Sequence, residues 1–283
     1  MPRLLEILNS AGEFLQKKGS PSPRLDAEVL LANILDMQRI ELYANYDRPL
    51  DKRELDLYRQ AIARRGKLEP VAYIVGHKEF FSRDFVVTSD VLIPRPDTEI
   101  IVEKVLGYLK SFNIDAPEIL DLCTGSGVLA ITLKLEVPNS RVVGTDICEK
   151  ALKIAKINAT KLDANVDFIL GDLYGDLDRQ FDVIVANPPY IKASEMDTLE
   201  PNVRLFEPKL ALDGGSDGLD YYKRIIKESS RYLKQAGALF LEIGDDQAAK
   251  VAEIGEEAGI FAPAMVVKDL ASKNRGIFLK RLK

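Results

Sequence analysis

Apolar residues at helical spacing open the chain. Leu4, Leu5, Leu8, Ala11, Phe14 and Leu15 fall on one face of a first helix. Ser22-Pro23 supplies an N-cap and a first-turn proline, and Leu25, Val29, Ala32 and Leu35 mark the expected buried stripe of a second. Asp51, with Glu54 three residues on, outlines a capping box for a third helix through Leu55, Tyr58 and Ile62 to about Arg65. From Gly76 the pattern changes. Glu79–Val87 is aromatic and β-branched and reads as a hairpin or short strands. Thr98 or Asp97 can then cap a helix through Ile101, Val105 and Leu109.

Strands and helices alternate from there on. Strands are expected at Glu118–Leu122, Arg141–Asp146, Val166–Leu170, Phe181–Ala186, Ala238–Ile243, Phe261–Val267 and Gly276–Leu279, with helices to about Val137, near Lys150–Lys161 and through Tyr222–Leu233. That rhythm means βαβ units and a mostly parallel sheet covered on both faces, an α/β fold. Residues 192–220 form a connection longer than loops usually run without a function. The domain organisation expected is a helical domain at 1–75, a β-hairpin linker at 76–95 and an α/β domain at 96–283.

Composition narrows the function classes. Apolar content of 46% and charged content of 29% suit a soluble globular protein. The net charge of −5 leaves no general electrostatic footprint for nucleic acid. Up to residue 75 there are 12 basic against 11 acidic residues, and the remainder carries the acidity, 27 against 33. Cys123 and Cys148 lack CxxC spacing and His77 stands alone, so no metal site is expected, and His77 is read as structural or surface. The start of the chain does not resemble a signal peptide and no apolar run reaches a membrane span, so a cytoplasmic protein is expected.

Candidate chemistry gathers at two strand ends. Cys123-Thr124-Gly125-Ser126-Gly127 joins the first sheet strand to its helix, where glycines admit close backbone approach and N–H groups present positive charge. Asp146 ends the next strand about 20 residues on, where a carboxylate can accept from both hydroxyls of a ribose. The loop also fits the G-x-G-x-x-A form of a dinucleotide fingerprint. Two points favour S-adenosylmethionine instead. Asp121 would repel a pyrophosphate but suits an ammonium, and no hydride-transfer residue is visible. Asp172 is placed to reach the adenine amino group, with Leu173 against the ring.

The second strand end carries Asn187-Pro188-Pro189-Tyr190. Two prolines cannot continue a strand ladder, so the chain leaves the sheet in a stiff turn with an amide at one end and an aromatic ring at the other. In a doubly wound sheet the first and fourth strands lie side by side at the switch point, about 4.8 Å apart. The glycine loop and this turn therefore face one crevice, a methyl donor beside carbonyl acceptors. Asn187 and Pro188 bring carbonyl acceptors to that crevice, and Tyr190 an aromatic ring beside them.

Asn187–Tyr190 resembles the (Asn/Asp/Ser)-Pro-Pro-(Tyr/Phe/Trp) motif of methyltransferases that modify planar amino groups. Ile93-Pro94-Arg95-Pro96-Asp97-Thr98-Glu99 resembles a segment of the PrmC/HemK protein-glutamine methyltransferases. Further similarity lies in Leu25–Glu28, Pro70–Gly76, Asp217–Asp220 and Leu241–Gly244, so the resemblance spans nearly the whole chain. It implies a Rossmann-like S-adenosylmethionine-dependent methyltransferase domain with a mostly parallel seven-stranded sheet, and a small all-α N-terminal domain that docks the substrate. The implied activity is methylation of the side-chain nitrogen (N5) of the glutamine in the Gly-Gly-Gln motif of class I peptide chain release factors; a monomer is expected, and the charge balance argues against direct nucleic-acid binding. By motif match Cys123, Thr124, Gly125, Ser126, Gly127, Asp146, Leu173 and Asn187 would contact the cofactor, and Asn187, Pro188, Pro189 and Tyr190 would hold the glutamine.

Two positions depart from the family. Cys123 replaces the usual first glycine, which is tolerable where positive φ is not required, and Leu173 replaces an aromatic residue found in some members. Other readings stay open. An adenine or guanine amino group would fit the same turn, given a basic groove or a base-flipping pocket. A non-catalytic binding module on the translation machinery and a dinucleotide-dependent oxidoreductase are the remaining two.

Overall fold

The computed structural model describes residues 2–269 and 271–282. Met1, Leu270 and Lys283, which fall inside the expected domain limits, lie outside the described residues. The chain forms two compact units. One runs to His77 and takes in Leu199–Phe206; the other comprises Lys78–Thr198 and the chain from Glu207 on.

The first unit is helical: α1 (Leu4–Lys17), α2 (Pro23–Leu35), α3 (Arg39–Ala44), α4 (Lys52–Arg65) and α5 (Val71–Val75). Leu4, Leu8, Ala11 and Leu15 of α1 are buried, as their spacing predicts, and pack with Leu30, Leu31, Leu42, Tyr58 and Ile62. The capping box of α4 forms, with Glu54 N donating to Asp51 Oδ1 at 2.8 Å and Asp51 N to Glu54 Oε2 at 2.9 Å. The buried stripe expected for α2 holds only in part: Ala32 is buried and Leu35 packs against the core. Leu25 is exposed and the core also takes Ala27, Leu30 and Leu31, because apolar and charged residues are spread around this helix and periodicity does not choose its face. Nor does the Ser22 side chain cap α2; its hydroxyl donates to Asp26 Oδ1 at 2.9 Å.

Charge fixes that face instead. Asp26 and Arg65 are both buried and paired at 2.7 Å, with the Ser20 hydroxyl also donating to Asp26 at 2.5 Å. Glu28, also buried, accepts from Arg24 at 2.7 Å and from the Tyr43 hydroxyl at 3.0 Å. Removing one member of such a buried pair costs about 3–5 kcal/mol, since the other charge is left bare. Two acids of Leu25–Glu28 are thus structural.

The second unit begins within a hairpin, β1 (His77–Phe80) and β2 (Arg83–Val86). There follow α6 (Glu99–Ser111), β3 (Glu118–Leu122), α7 (Val128–Glu136), β4 (Arg141–Asp146), α8 (Glu149–Lys161), β5 (Asp167–Leu170), β6 (Phe181–Ala186), α9 (Pro201–Phe206, grouped with the helical unit), α10 (Asp220–Tyr232), β7 (Leu233–Glu242), α11 (Ala248–Glu257), β8 (Met265–Lys268) and β9 (Asn274–Lys280). One seven-stranded sheet runs β5-β4-β3-β6-β7-β9-β8. It is parallel through β7 and antiparallel on both sides of β9. Alternate residues feed two cores: Leu120, Leu122, Ile184 and Ala186 join one, Ile119, Val183 and Val185 the other. Each fully buried aliphatic side chain contributes about 1.5–3 kcal/mol, which holds the central strand ends still.

Three local readings need correction. Thr98 does not cap α6. The proline-led turn Pro96–Thr98 winds as a 3₁₀ helix into α6, and Thr98 is buried in helical conformation. β7 begins five residues before the expected Ala238, through Ala236 at φ +59° and a register shift opposite Phe181 and Val183. The expected strand at Phe261–Val267 is shorter, Met265–Lys268, with Phe261 in an isolated bridge to Arg281. Among the described residues no helix is long and apolar enough to cross a membrane.

Candidate active site

Register places the two candidate stretches side by side. Leu122 of β3 is opposite Ala186 of β6, so Cys123 and Asn187 are the next residues on two neighbouring parallel strands. A cleft of about 970 Å³, counting its open mouth, lies at these strand ends. Cys123, Thr124, Gly125, Ser126, Asp146, Leu173, Asn187 and Pro189 line it, together with Arg95, Thr98, Asp121 and Tyr221.

The loop after β3 is shaped by hydrogen bonds to its neighbours. Asp146 accepts from Gly125 N at 2.9 Å and from Cys148 N at 2.8 Å. Burial raises its pKa above the ordinary carboxylate range, against the pull of those N–H groups. Buried Asn158 of α8 donates to Ser126 O at 2.9 Å and exchanges hydrogen bonds with Val86 of β2 at 2.7 and 3.0 Å, tying loop to hairpin. Gly127 starts α7 at φ +83°, where an added Cβ would sit 2.9 Å from Ile131 and 3.2 Å from Ala155.

Asp121 is the most unusual group. It is 1% exposed, and its Oδ2 accepts from the Thr124 hydroxyl at 2.6 Å and from Ala130 N at 3.1 Å. Its Oδ1 is buried without a partner. Burial pushes its pKa up to about 7, with Asp146 adding to the rise. An orphaned carboxylate oxygen in a cleft that is otherwise mostly apolar is an unfilled acceptor for a cation.

Cys123 overturns the expectation attached to it. It adopts φ +57°, the left-handed region where glycine is usual and where other residues pay about 1–2 kcal/mol. Leu173, the second family departure, is also left-handed at φ +53°, held by the Thr145 hydroxyl donating to its carbonyl at 2.7 Å. Asp172 does not line the cleft. Its carboxylate pairs with Arg224 at 2.6 Å, half exposed, so reaching an adenine would break that pair. Gly127, Pro188 and Tyr190 are also absent from the lining.

The turn after β6 is held from behind. Pro188 and Pro189 are buried, and Tyr190 is partly buried against the core that includes Ile184 and Leu241. Gln247, itself 3% exposed, donates to Tyr190 O at 2.9 Å and to Gly218 O at 3.1 Å, and accepts from Gly244 N at 2.9 Å. Gly214 lets two backbones meet: a Cβ there would lie 2.7 Å from Tyr190 Cα. Ile191 N donates to Leu212 O at 2.9 Å and Gly214 N returns a bond to Ile191 O at 2.8 Å, so the long connection is anchored to the turn. Burial pushes the Tyr190 pKa up to about 12, keeping its ring neutral.

Sequence reading missed Thr98 as part of the site, and gave no role to Glu242 or Gln247. Thr98 Oγ1 lies 3.5 Å from Asn187 Nδ2, the one hydrogen bond of that side chain among the described residues. Thr98 and Glu242 lie in segments noticed for their resemblance, whereas no signal marked Gln247. His77, read as structural, has Nε2 3.4 Å from Asn33 Oδ1 in the helical unit.

Comparisons with known proteins agree in direction. Residues 6–76 match the PrmC N-terminal domain and residues 103–207 the methyltransferase small domain. A release factor glutamine methyltransferase of Geobacter sulfurreducens is 43% identical over 247 residues, 87% of this chain and 86% of that protein. One from Rhodopirellula baltica is 38% identical over 284 residues, 98% and 96% of the two chains. Among solved structures, a methyltransferase from Pyrococcus furiosus shares the fold at TM-score 0.55 and 18% identity, covering 82% of this chain and 98% of its own. The cofactor is S-adenosylmethionine. The cleft suits that group, with an orphaned carboxylate for its ammonium, a strand-end carboxylate for its ribose and apolar walls. With relatives this similar over nearly their whole length, the chain belongs to the release factor glutamine methyltransferase family.

Proposed function

We propose that this enzyme methylates the side-chain amide nitrogen (N5) of the glutamine in the Gly-Gly-Gln motif of class I peptide chain release factors, as a cytoplasmic monomer that needs no nucleic acid. Residues 1–75 dock the release factor, 76–95 link, and 96–283 perform the transfer. The observation that carries this reading is the pairing of β3 with β6, which sets the Asn187 amide beside the loop that faces the orphaned Asp121 oxygen.

When bound, S-adenosylmethionine supplies an electrophilic methyl group on a sulfonium. Asp121 holds its ammonium and Asp146 its ribose hydroxyls. Thr124, Gly125, Ser126 and Gly127 give the close backbone approach, and Cys123 and Leu173 pack beside it. An amide nitrogen is a poor nucleophile because its lone pair is delocalised into the carbonyl. Asn187 Oδ1 and the Pro188 carbonyl accept its two N–H bonds, which orients the nitrogen and favours positive charge building on it. Pro189 stiffens the turn, and the neutral Tyr190 ring, packed against the core in the free protein, turns toward the cleft to stack on the amide plane facing that charge. The surplus proton leaves to solvent, since an N-protonated amide is strongly acidic, so no general base is required.

Mass spectrometry of the Gly-Gly-Gln peptide, after incubating a release factor with enzyme and S-adenosylmethionine, tests the reading. A mass gain of one methylene on the glutamine is expected. Methyl transfer to nucleic acid alone would replace it with the base-methylating alternative.

A further inference from the structure

Behind the turn lies a carboxylate that the mechanism above leaves idle. Glu242, at the end of β7, is 1% exposed, and its Oε2 is buried without a partner. The Thr98 hydroxyl faces this carboxylate and stabilises its charge. Thr98, 2% exposed, is also the group that Asn187 Nδ2 meets at 3.5 Å. Three segments distant in sequence thus form one line, from β7 through the turn before α6 to the end of β6.

Hydrogen-bond arithmetic gives that line a direction. A threonine hydroxyl has one proton to donate, and a carboxylate can only accept. The two ends of an asparagine amide have nearly the same shape but opposite hydrogen-bonding character. If Thr98 spends its proton on Glu242, it can only accept from Asn187, and Nδ2 must be the end turned toward it. Oδ1 then faces the cleft. If Thr98 keeps its proton for Asn187, the amide turns over and offers N–H to a substrate that itself offers N–H.

We infer that Glu242 and Thr98 are positioning residues: ionised Glu242 accepts a hydrogen bond from the Thr98 hydroxyl, and Thr98 thereby fixes Asn187 with Oδ1 toward the acceptor amide. The inference rests on the reading of Asn187 as the acceptor's partner. It adds a proton switch, because a protonated Glu242 can donate to Thr98 and release the hydroxyl proton toward Asn187. Burial pushes the Glu242 pKa up to about 7, against the Thr98 hydroxyl and Arg275, with Asp97 raising it further and Arg95 lowering it. The other titratable groups facing Glu242 are Tyr190 and Tyr222, both shifted upward by burial and neutral near pH 7. Asp97 pairs with Arg275 at 2.9 Å and Arg95 with Glu207 at 2.5 Å, whereas Glu242 Oε2 has no partner. Orientation of the reacting amide is therefore lost as pH falls through about 7.

Glu242→Gln keeps the shape but offers an N–H to Thr98, imitating the protonated acid. At saturating cofactor its kcat is expected to fall by up to about 100-fold with a flat pH profile, while cofactor Kd stays within about threefold. Thr98→Val should behave likewise and Thr98→Ser should restore most of the activity. The second readout needs no substrate: exchange of the Asn187 side-chain amide protons, followed by NMR on the full chain. It should be slow above pH 7 in the parent protein, and fast at all pH in Glu242→Gln and Thr98→Val. Unchanged exchange and an unchanged pH profile in both variants overturn the inference. Failure of the parent to methylate any release factor, with the exchange pattern as expected, overturns the glutamine reading and leaves the switch standing.

Discussion

The two halves of this site sit on adjacent strands and are built in opposite ways. The half after β3 is made mostly of local chain: glycines, backbone N–H groups and the carboxylates of Asp121 and Asp146, all within 26 residues of one another. The half after β6 is four residues long, and its orientation is imposed from elsewhere, by Thr98, Gly214, Glu242 and Gln247. A donor site must grip a molecule with many polar groups, and a short glycine-containing loop with carboxylates close beside it does that. An acceptor site must hold one amide plane at one angle, and rigid side chains packed from several directions do that better.

That contrast breaks most sharply at Asn187. Asn187→Ala should lower single-turnover methyl transfer by about 100- to 1,000-fold, the usual loss when one preorganised hydrogen-bonding group is removed from a reacting centre. Cofactor affinity by calorimetry should change far less. Equal losses in both would mean that the halves are one unit.

The donor half should answer to pH through affinity rather than rate. Burial holds the Asp121 pKa at about 7, and an ammonium needs the carboxylate ionised. S-adenosylmethionine should therefore bind about tenfold more weakly at pH 6 than at pH 8, and Asp121→Asn should flatten the curve while weakening binding at the higher pH. Without ligand the sign for folding is the reverse. A carboxyl whose pKa is raised on folding adds stability at low pH, and that stability is lost as pH climbs through about 7. Calorimetric titrations and melting curves across this range check both slopes.

The smallest effect concerns the strained backbone of the donor loop. Cys123→Gly should be more stable than Cys123→Ala by about 1 kcal/mol, because both lose the thiol and only glycine takes φ +57° without strain. Alanine is the better residue at ordinary positions, so the usual order in chemical denaturation would show a relaxed loop.

Much of this was legible before any coordinates. β6 lies where the apolar run Phe181–Ala186 put it, and the pairing of β3 with β6 follows from the rules of doubly wound sheets. Residues whose role depends on distant partners were harder to read. Thr98 looked like a helix cap because threonine before a helix usually is one, and only its burial against Glu242 gives it another use. Asp172 looked like a ligand because it follows a strand, but Arg224, 52 residues on, holds it outside the cleft. The face of α2 was misjudged because its choice rests on the buried pair Asp26–Arg65, and a charge pair leaves no period in the pattern.

β9 has a consequence for how the enzyme comes into being. It is made after every other strand, yet it lies inside the sheet, between β7 and β8, with Ile277 opposite Leu241 and Gly276 opposite Glu242. Until β9 is made, β7 shows an open edge and Glu242 lacks its cover. Domains fold largely as units, and unpaired edges recruit other chains. The nascent protein therefore passes through an interval in which both stretches of the site have been made but the strand that seals one of them has not. Chaperones and truncating mutations would act on that interval.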